Sequence, residues 1–156
     1  MKNLSRFVII VLLLSVGNLC LKGATSCSGI AWCGGTCTVT CALPFPNAHC
    51  ENGVFLAICE CWGSSNPNNP RINPSPTSGQ LADAGALSSF LHNSTSSALQ
   101  AIEPDLNDAI SGASTQNWTL YWTGSDSCVS KFNSLSSTDK AAINTWRSAH
   151  GYTDPL

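Results

Sequence analysis

Cys37-Thr-Val-Thr-Cys41 and Cys59-Glu-Cys61 are the two stretches whose reading decides the fold. Four residues is about one helical turn, so a CxxxC sets both sulfurs on one face of a helix. Two residues is about one strand repeat, so a CxC sets both sulfurs on one face of a sheet. A helix laid across a strand is then riveted to it by two parallel disulfides. The surroundings fit such a scaffold, because seven of the nine cysteines fall within residues 27–61, with Cys27, Cys33 and Cys50 completing the set. The expectation is a small cross-linked αβ module with a helix over 37–41.

The context upstream is that of export. Residues 1–25 read as a secretory leader: Met-Lys-Asn-Leu-Ser-Arg is basic, and Phe7 to Leu14 is an apolar run too brief to cross a bilayer. A cut between Cys20 and Cys27, where Ala24-Thr25-Ser26 offers small residues, leaves eight cysteines, an even set suited to complete pairing. In an oxidising route disulfides are favoured over zinc thiolates, even though His49 abuts Cys50, so no metal and no cofactor are expected.

From Ser26 onward four basic residues (Arg71, Lys131, Lys140, Arg147) face nine acidic ones, a net charge of −5. Residues 26–62 hold no Lys or Arg, only Glu51 and Glu60. That composition excludes the electrostatic footprint of a nucleic-acid binder and of a peptide drawn to anionic membranes. A piece of this size cannot stabilise itself by burial alone, and disulfides supply what the core lacks.

Three segments follow the leader. The cysteine-rich module occupies 26–62. Residues 63–79 are rich in Pro, Asn and Ser, with four prolines between Pro67 and Pro76, and read as a semi-rigid solvated spacer. Residues 80–156 turn to Ala, Leu and Ser at helical spacing. Leu81, Ala84, Leu87 and Leu91 form one stripe, and Leu99, Ile102, Leu106 and Ile110 another, with Pro104 either kinking that stretch or starting a new helix. A third helix runs from a Ser137 cap through Ala142, Ile143, Trp146 and Ala149 to Gly151. Between them, Trp118-Thr-Leu-Tyr-Trp-Thr123 reads as a short strand or an aromatic plug. The fold class is therefore a small disulfide-rich α+β module, a Pro/Asn linker, and an all-α C-terminal domain of three or so helices.

The module resembles the defensin-like, cysteine-stabilised αβ family of invertebrate, fungal and plant defensins and arthropod toxins. The resemblance rests on Cys37 and Cys41, Cys50, and Cys59 and Cys61, with Cys27 or Cys33 as the first cysteine. Cys50-Glu-Asn-Gly53 and the following Val54 to Cys59 look like that family's hairpin. By resemblance the bridges are Cys37–Cys59, Cys41–Cys61, and Cys27 or Cys33 to Cys50. Taking Cys27–Cys50, Cys33 is left for Cys128 in a bridge that ties the two halves together. The resemblance implies a host-defence or target-binding protein, or a toxin-like ligand of a channel or protease. The acidic module favours gripping a protein, cell-wall or membrane-surface target over permeabilising a membrane.

Candidate contacts on such a module are Phe45, His49, Phe55 and Trp62, since aromatic side chains on a rigid hairpin make low-entropy anchors. Catalysis is not expected. His49, His92 and His150 lie apart from any nucleophile pattern, and Glu103, Asp105 and Asp108 fit a solvated helix start better than a metal site. Trp118, Tyr121, Trp122 and Trp146 could stack on sugars, but core packing is the stronger reading. Asn93-Ser-Thr and Asn117-Trp-Thr are N-glycosylation sequons. The chain is expected to be an exported monomer.

Overall fold

The computed structural model describes residues 25–42, 47–62 and 71–156. The leader residues 1–24, Phe45 with its neighbours in 43–46, and spacer residues 63–70 lie outside the described residues. Two antiparallel hairpins open the chain: β1 (Thr25–Ile30) pairs with β2 (Thr36–Cys41), and β3 (Asn47–Glu51) pairs with β4 (Ile58–Trp62). Thr25, assigned above to the leader, belongs to β1 and accepts a hydrogen bond from the Ala48 N–H at 2.6 Å.

Side chains alternate across a strand, and here the alternation sorts cysteine from hydroxyl. Cys27, Gly29, Cys37, Val39 and Cys41 share one face of the first hairpin, while Ala48, Cys50, Cys59 and Cys61 share one face of the second. These faces are joined by Cys27–Cys50, Cys37–Cys59 and Cys41–Cys61, with Cα separations of 5.8, 5.9 and 5.4 Å. They are the pairs that the resemblance implied. Gly29 permits the close approach: a Cβ there would lie 2.9 Å from the Glu51 carbonyl oxygen and 3.3 Å from Cys37 Sγ.

The helix expected over Cys37–Cys41 is overturned, because Thr38, Val39 and Thr40 are extended within β2. These β-branched residues lose side-chain freedom in a helix and suit a pleated strand. The hairpin expected after Cys50 exists, but β4 starts only at Ile58, and residues 52–57 form a connection folded inward. The Cys33–Cys128 bridge is not formed. Both residues are free thiols with 0% exposure, packed as small apolar side chains.

Five helices follow among the described residues: α1 (Ser78–His92), the single turn α2 (Ser97–Gln100), α3 (Glu103–Thr115), α4 (Trp118–Ser134) and α5 (Ser137–Ala149). Thr77 and Gln80 close a capping box on α1, and Pro104 begins α3 rather than kinking a longer helix. Ser136, not Ser137, caps α5 through a hydrogen bond from the Asp139 N–H. Trp118 to Thr123, read as strand or plug, forms the first turns of α4 under an Asn117 cap.

α3 and α4 cross closely because each has a glycine at the contact. A Cβ on Gly124 would lie 2.5 Å from the Asp105 carbonyl oxygen, and one on Gly112 would strike the Tyr121 backbone. The hairpins and helices share one core. Trp32, Cys33, Val54, Phe55 and Ile58 belong to the same apolar cluster as Leu87, Leu91, Ile102, Leu106, Tyr121, Phe132 and Ile143. The spacer takes part as well, since residues 71–77 run without regular secondary structure and Pro74 is buried.

Candidate functional site

The outward face of the first hairpin is defined by what is left when the cysteines turn inward. Ser26 pairs with Thr40 and Ser28 with Thr38, and Thr36 stands opposite Ile30. Ser26, Ser28, Thr36, Thr38 and Thr40 are all exposed. The result is an uncharged, hydroxyl-bearing face on a scaffold held by three disulfides. Its signal in the sequence is the alternation in Thr36-Cys-Thr-Val-Thr-Cys41, which the expectation of a helix over 37–41 obscures.

The second hairpin is polar on its outward side, where His49 stands opposite Glu60. His49 Nε2 lies 2.9 Å from Glu51 Oε1, and Glu51 Oε2 lies 3.0 Å from Arg71 Nε. Arg71 in turn donates through Nη1 to Asp126 at 2.7 Å, and its guanidinium rests 4.6 Å from the centre of the Trp122 ring. Arg71 is held above its usual pKa, first by the hydrogen bond to Asp126. This chain of charges ties β3, the spacer and α4 together at the surface.

The other expected contacts fare differently. Phe55 is not an exposed anchor: it is 5% exposed, its ring stacks on Tyr121 at 6.1 Å, and its N–H donates to the Tyr121 hydroxyl at 3.2 Å. The reason is the inward fold of residues 52–57, which places apolar Val54 and Phe55 against α4. Trp62 ends β4, and its side chain, like Phe45, lies outside the described part. Asn93 and Asn117 are both exposed and both sit at helix ends, Asn93 closing α1 and Asn117 opening α4.

Several other titratable groups are engaged in packing and capping. Asp105 pairs with Lys131, and Glu103 Oε2 lies 3.1 Å from His92 Nδ1. His150 closes α5 and stacks on Trp146 at 3.8 Å. Among the described residues no three His, Cys, Asp or Glu side chains gather closely enough to hold a metal ion. Arg147 is 1% exposed and donates to the carbonyls of Trp32 at 3.0 Å, Ala31 at 3.1 Å, and Asp154. Burial lowers its pKa. Burial also pushes the Cys33 thiol up to about 12, and Cys128 up as well.

Three disulfides accord with an oxidising, exported setting. No helix among the described residues is long and apolar enough to cross a membrane. Comparison with family models, curated proteins and solved structures returns no match.

Proposed function

We propose that the protein is an exported target-binding protein of host-defence type, defensin-like in the pairing of its module cysteines though not in a helix over 37–41. It presents the hydroxyl-bearing face of β1 and β2 to its target. The observation that carries this reading is the sorting of residues by the two hairpins: cysteines turn inward into three bridges, and Ser26, Ser28, Thr36, Thr38 and Thr40 turn outward. A rigid surface loses little conformational entropy on binding.

Its charge speaks for target binding over membrane disruption. Arg71 is paired with Glu51 and Asp126, Lys131 with Asp105, and Lys140 donates to the Asn133 carbonyl at 2.8 Å, while Arg147 is buried. Two of the four cations are held by carboxylates and a third is buried, which leaves Lys140 alone for an anionic bilayer. The test is growth inhibition of bacteria and fungi by the whole exported chain with its disulfides mapped, alongside a dye-leakage assay on anionic vesicles. Inhibition without leakage, lost on Thr38→Glu, supports the reading. Vesicle leakage at the inhibitory concentration would reject it. Inactivity at high micromolar concentration would move the weight to a second reading, an inhibitory ligand of a channel or protease, for which the net charge of −5 from Ser26 onward is no handicap.

A further inference from the structure

We propose that Asn117 carries an N-linked glycan whose first N-acetylglucosamine lies in the shallow depression between the start of α4 and residues 71–77. The inference rests on the export proposed above and adds a modification site and its seat. Two independent observations meet at this point of the fold.

The first is the state of the acceptor. Asn117-Trp118-Thr119 is a sequon, and Asn117 is exposed at the head of α4. Its Oδ1 accepts from the Leu120 N–H at 3.2 Å, and its Nδ2 makes no hydrogen bond within the described residues. The capping oxygen and the glycosylated nitrogen are thus different atoms, so modification leaves the cap in place. At Asn93, the other sequon, Nδ2 is already engaged, donating to the Ser89 carbonyl at 2.7 Å.

The second is a shallow, open depression of about 420 Å³, bordered by Trp118, Thr119, Trp122 and Asp126 from α4 and by Arg71 and Asn73 from the segment before α1. The sequon's own second and third residues, Trp118 and Thr119, border the depression, so a sugar on Asn117 starts at its edge. A pyranose ring has an apolar C–H face and a hydroxyl rim. The half-buried Trp118 ring suits the face, and the Asp126 carboxylate, Arg71 guanidinium and Asn73 amide suit the rim.

In the transfer step, Asn117 Nδ2 attacks C1 of the reducing sugar of a polyisoprenyl-diphosphate-linked oligosaccharide. The new C1–N bond forms, the C1–O bond to diphosphate breaks, Nδ2 loses one proton, and the lipid diphosphate leaves. A host glycosyltransferase supplies donor and catalysis.

The test expresses the full chain in an N-glycosylating host. Presence of the protein in the medium reads export, and occupancy of Asn117 in the exported protein, mapped by mass spectrometry after enzymatic release of the glycan, reads the proposal. Modification is expected in the wild type and in Thr119→Ser, and is expected to vanish in Thr119→Ala, which keeps the Asn117 cap. An exported chain with bare Asn117 would overturn the proposal. For the seat, the glycoform is expected to melt about 2–4 °C above Thr119→Ala, with the difference abolished in a Trp118→Ala background. A direct check that does not depend on that variant is a nuclear Overhauser contact between the N-acetyl methyl group and the Trp118 ring. A modified Asn117 whose sugar shows no such contact would overturn the seat.

Discussion

Arg147 shows how single side chains hold this molecule together. Its guanidinium is directed at main-chain carbonyls, two from the loop after β1 and one from the C-terminal tail. Removing the fork while filling its volume leaves the Ala31 and Trp32 carbonyls buried and unpaired. Arg147→Met is therefore expected to cost about 3 kcal/mol, read as a lower urea midpoint. Arg147→Lys is expected to recover only part of that, because an ammonium lacks the planar fork. The two buried thiols make a second prediction. With Cys33 held near pKa 12 against an ordinary 9.0, and Cys128 also raised, the folded chain keeps protons that an unfolded chain releases. The unfolded state then binds fewer protons above pH 9, so stability is complete below that pH and is lost as pH climbs from 9 toward 12. Tyr121 and Tyr152, both raised chiefly by burial, act in the same direction. Alkaline unfolding followed by circular dichroism is expected to begin near pH 9, with a shallower slope in Cys33→Ala. In a chain lacking residues 1–24, a thiol reagent at pH 8 is expected to label no cysteine while folded and two once denatured.

At the scale of elements, the crossing of α3 and α4 depends on Gly112 and Gly124. Gly124→Ala would improve helix propensity by about 1 kcal/mol in isolation. Here, however, the added methyl group meets the Asp105 carbonyl and the Ala109 amide, which are backbone atoms and cannot swing aside. The net result is expected to be a destabilisation of about 1–3 kcal/mol, measured by thermal melting. The same scale explains what could be read from the sequence. The apolar stripes of α1 and α3 were legible because their spacing admits one period only. Cys37 and Cys41 were not decisive, because an interval of four is both about one helical turn and an even number of strand residues. Either geometry puts the two sulfurs on a common side, so the strand and the expected helix make the same bridges. Thr38-Val-Thr40 was the tie-breaker, and its β-branching pointed to a strand. For α4 the error ran the other way. Aromatic and β-branched residues at 118–123 suggested a strand, while the helical stripe Tyr121, Ser125, Cys128 and Phe132, all buried, and the Asn117 cap marked a helix. The burial of Phe55 against a distant helix leaves no local trace in the sequence.

At the scale of the whole molecule, the decisive fact is that module and helices do not have separate cores. Three bridges clamp the hairpins to each other, yet none of the described bridges reaches the helices. What joins the halves is burial of Trp32, Val54, Phe55 and Ile58 in the common cluster, together with hydrogen bonds from the Val54 N–H to Ser125 Oγ at 3.1 Å and from the Phe55 N–H to the Tyr121 hydroxyl. A module released near Trp62 would expose those apolar side chains and leave those amides to water. The seven cysteines of residues 26–62 allow about 105 sets of three bridges, and without the helices to organise residues 31–35 and 52–57 the native one loses its advantage. Two measurements follow. A synthetic 26–62 peptide, oxidised in a glutathione buffer, is expected to give a mixture of disulfide isomers, whereas the whole chain gives Cys27–Cys50, Cys37–Cys59 and Cys41–Cys61. A chain cut at an engineered site between Trp62 and Arg71 is expected to elute as one particle in native gel filtration, and to separate into two fragments in denaturant without reductant. Clean folding of the isolated peptide, or separation of the cut halves under native conditions, would show that the hairpins are self-sufficient and the shared core dispensable.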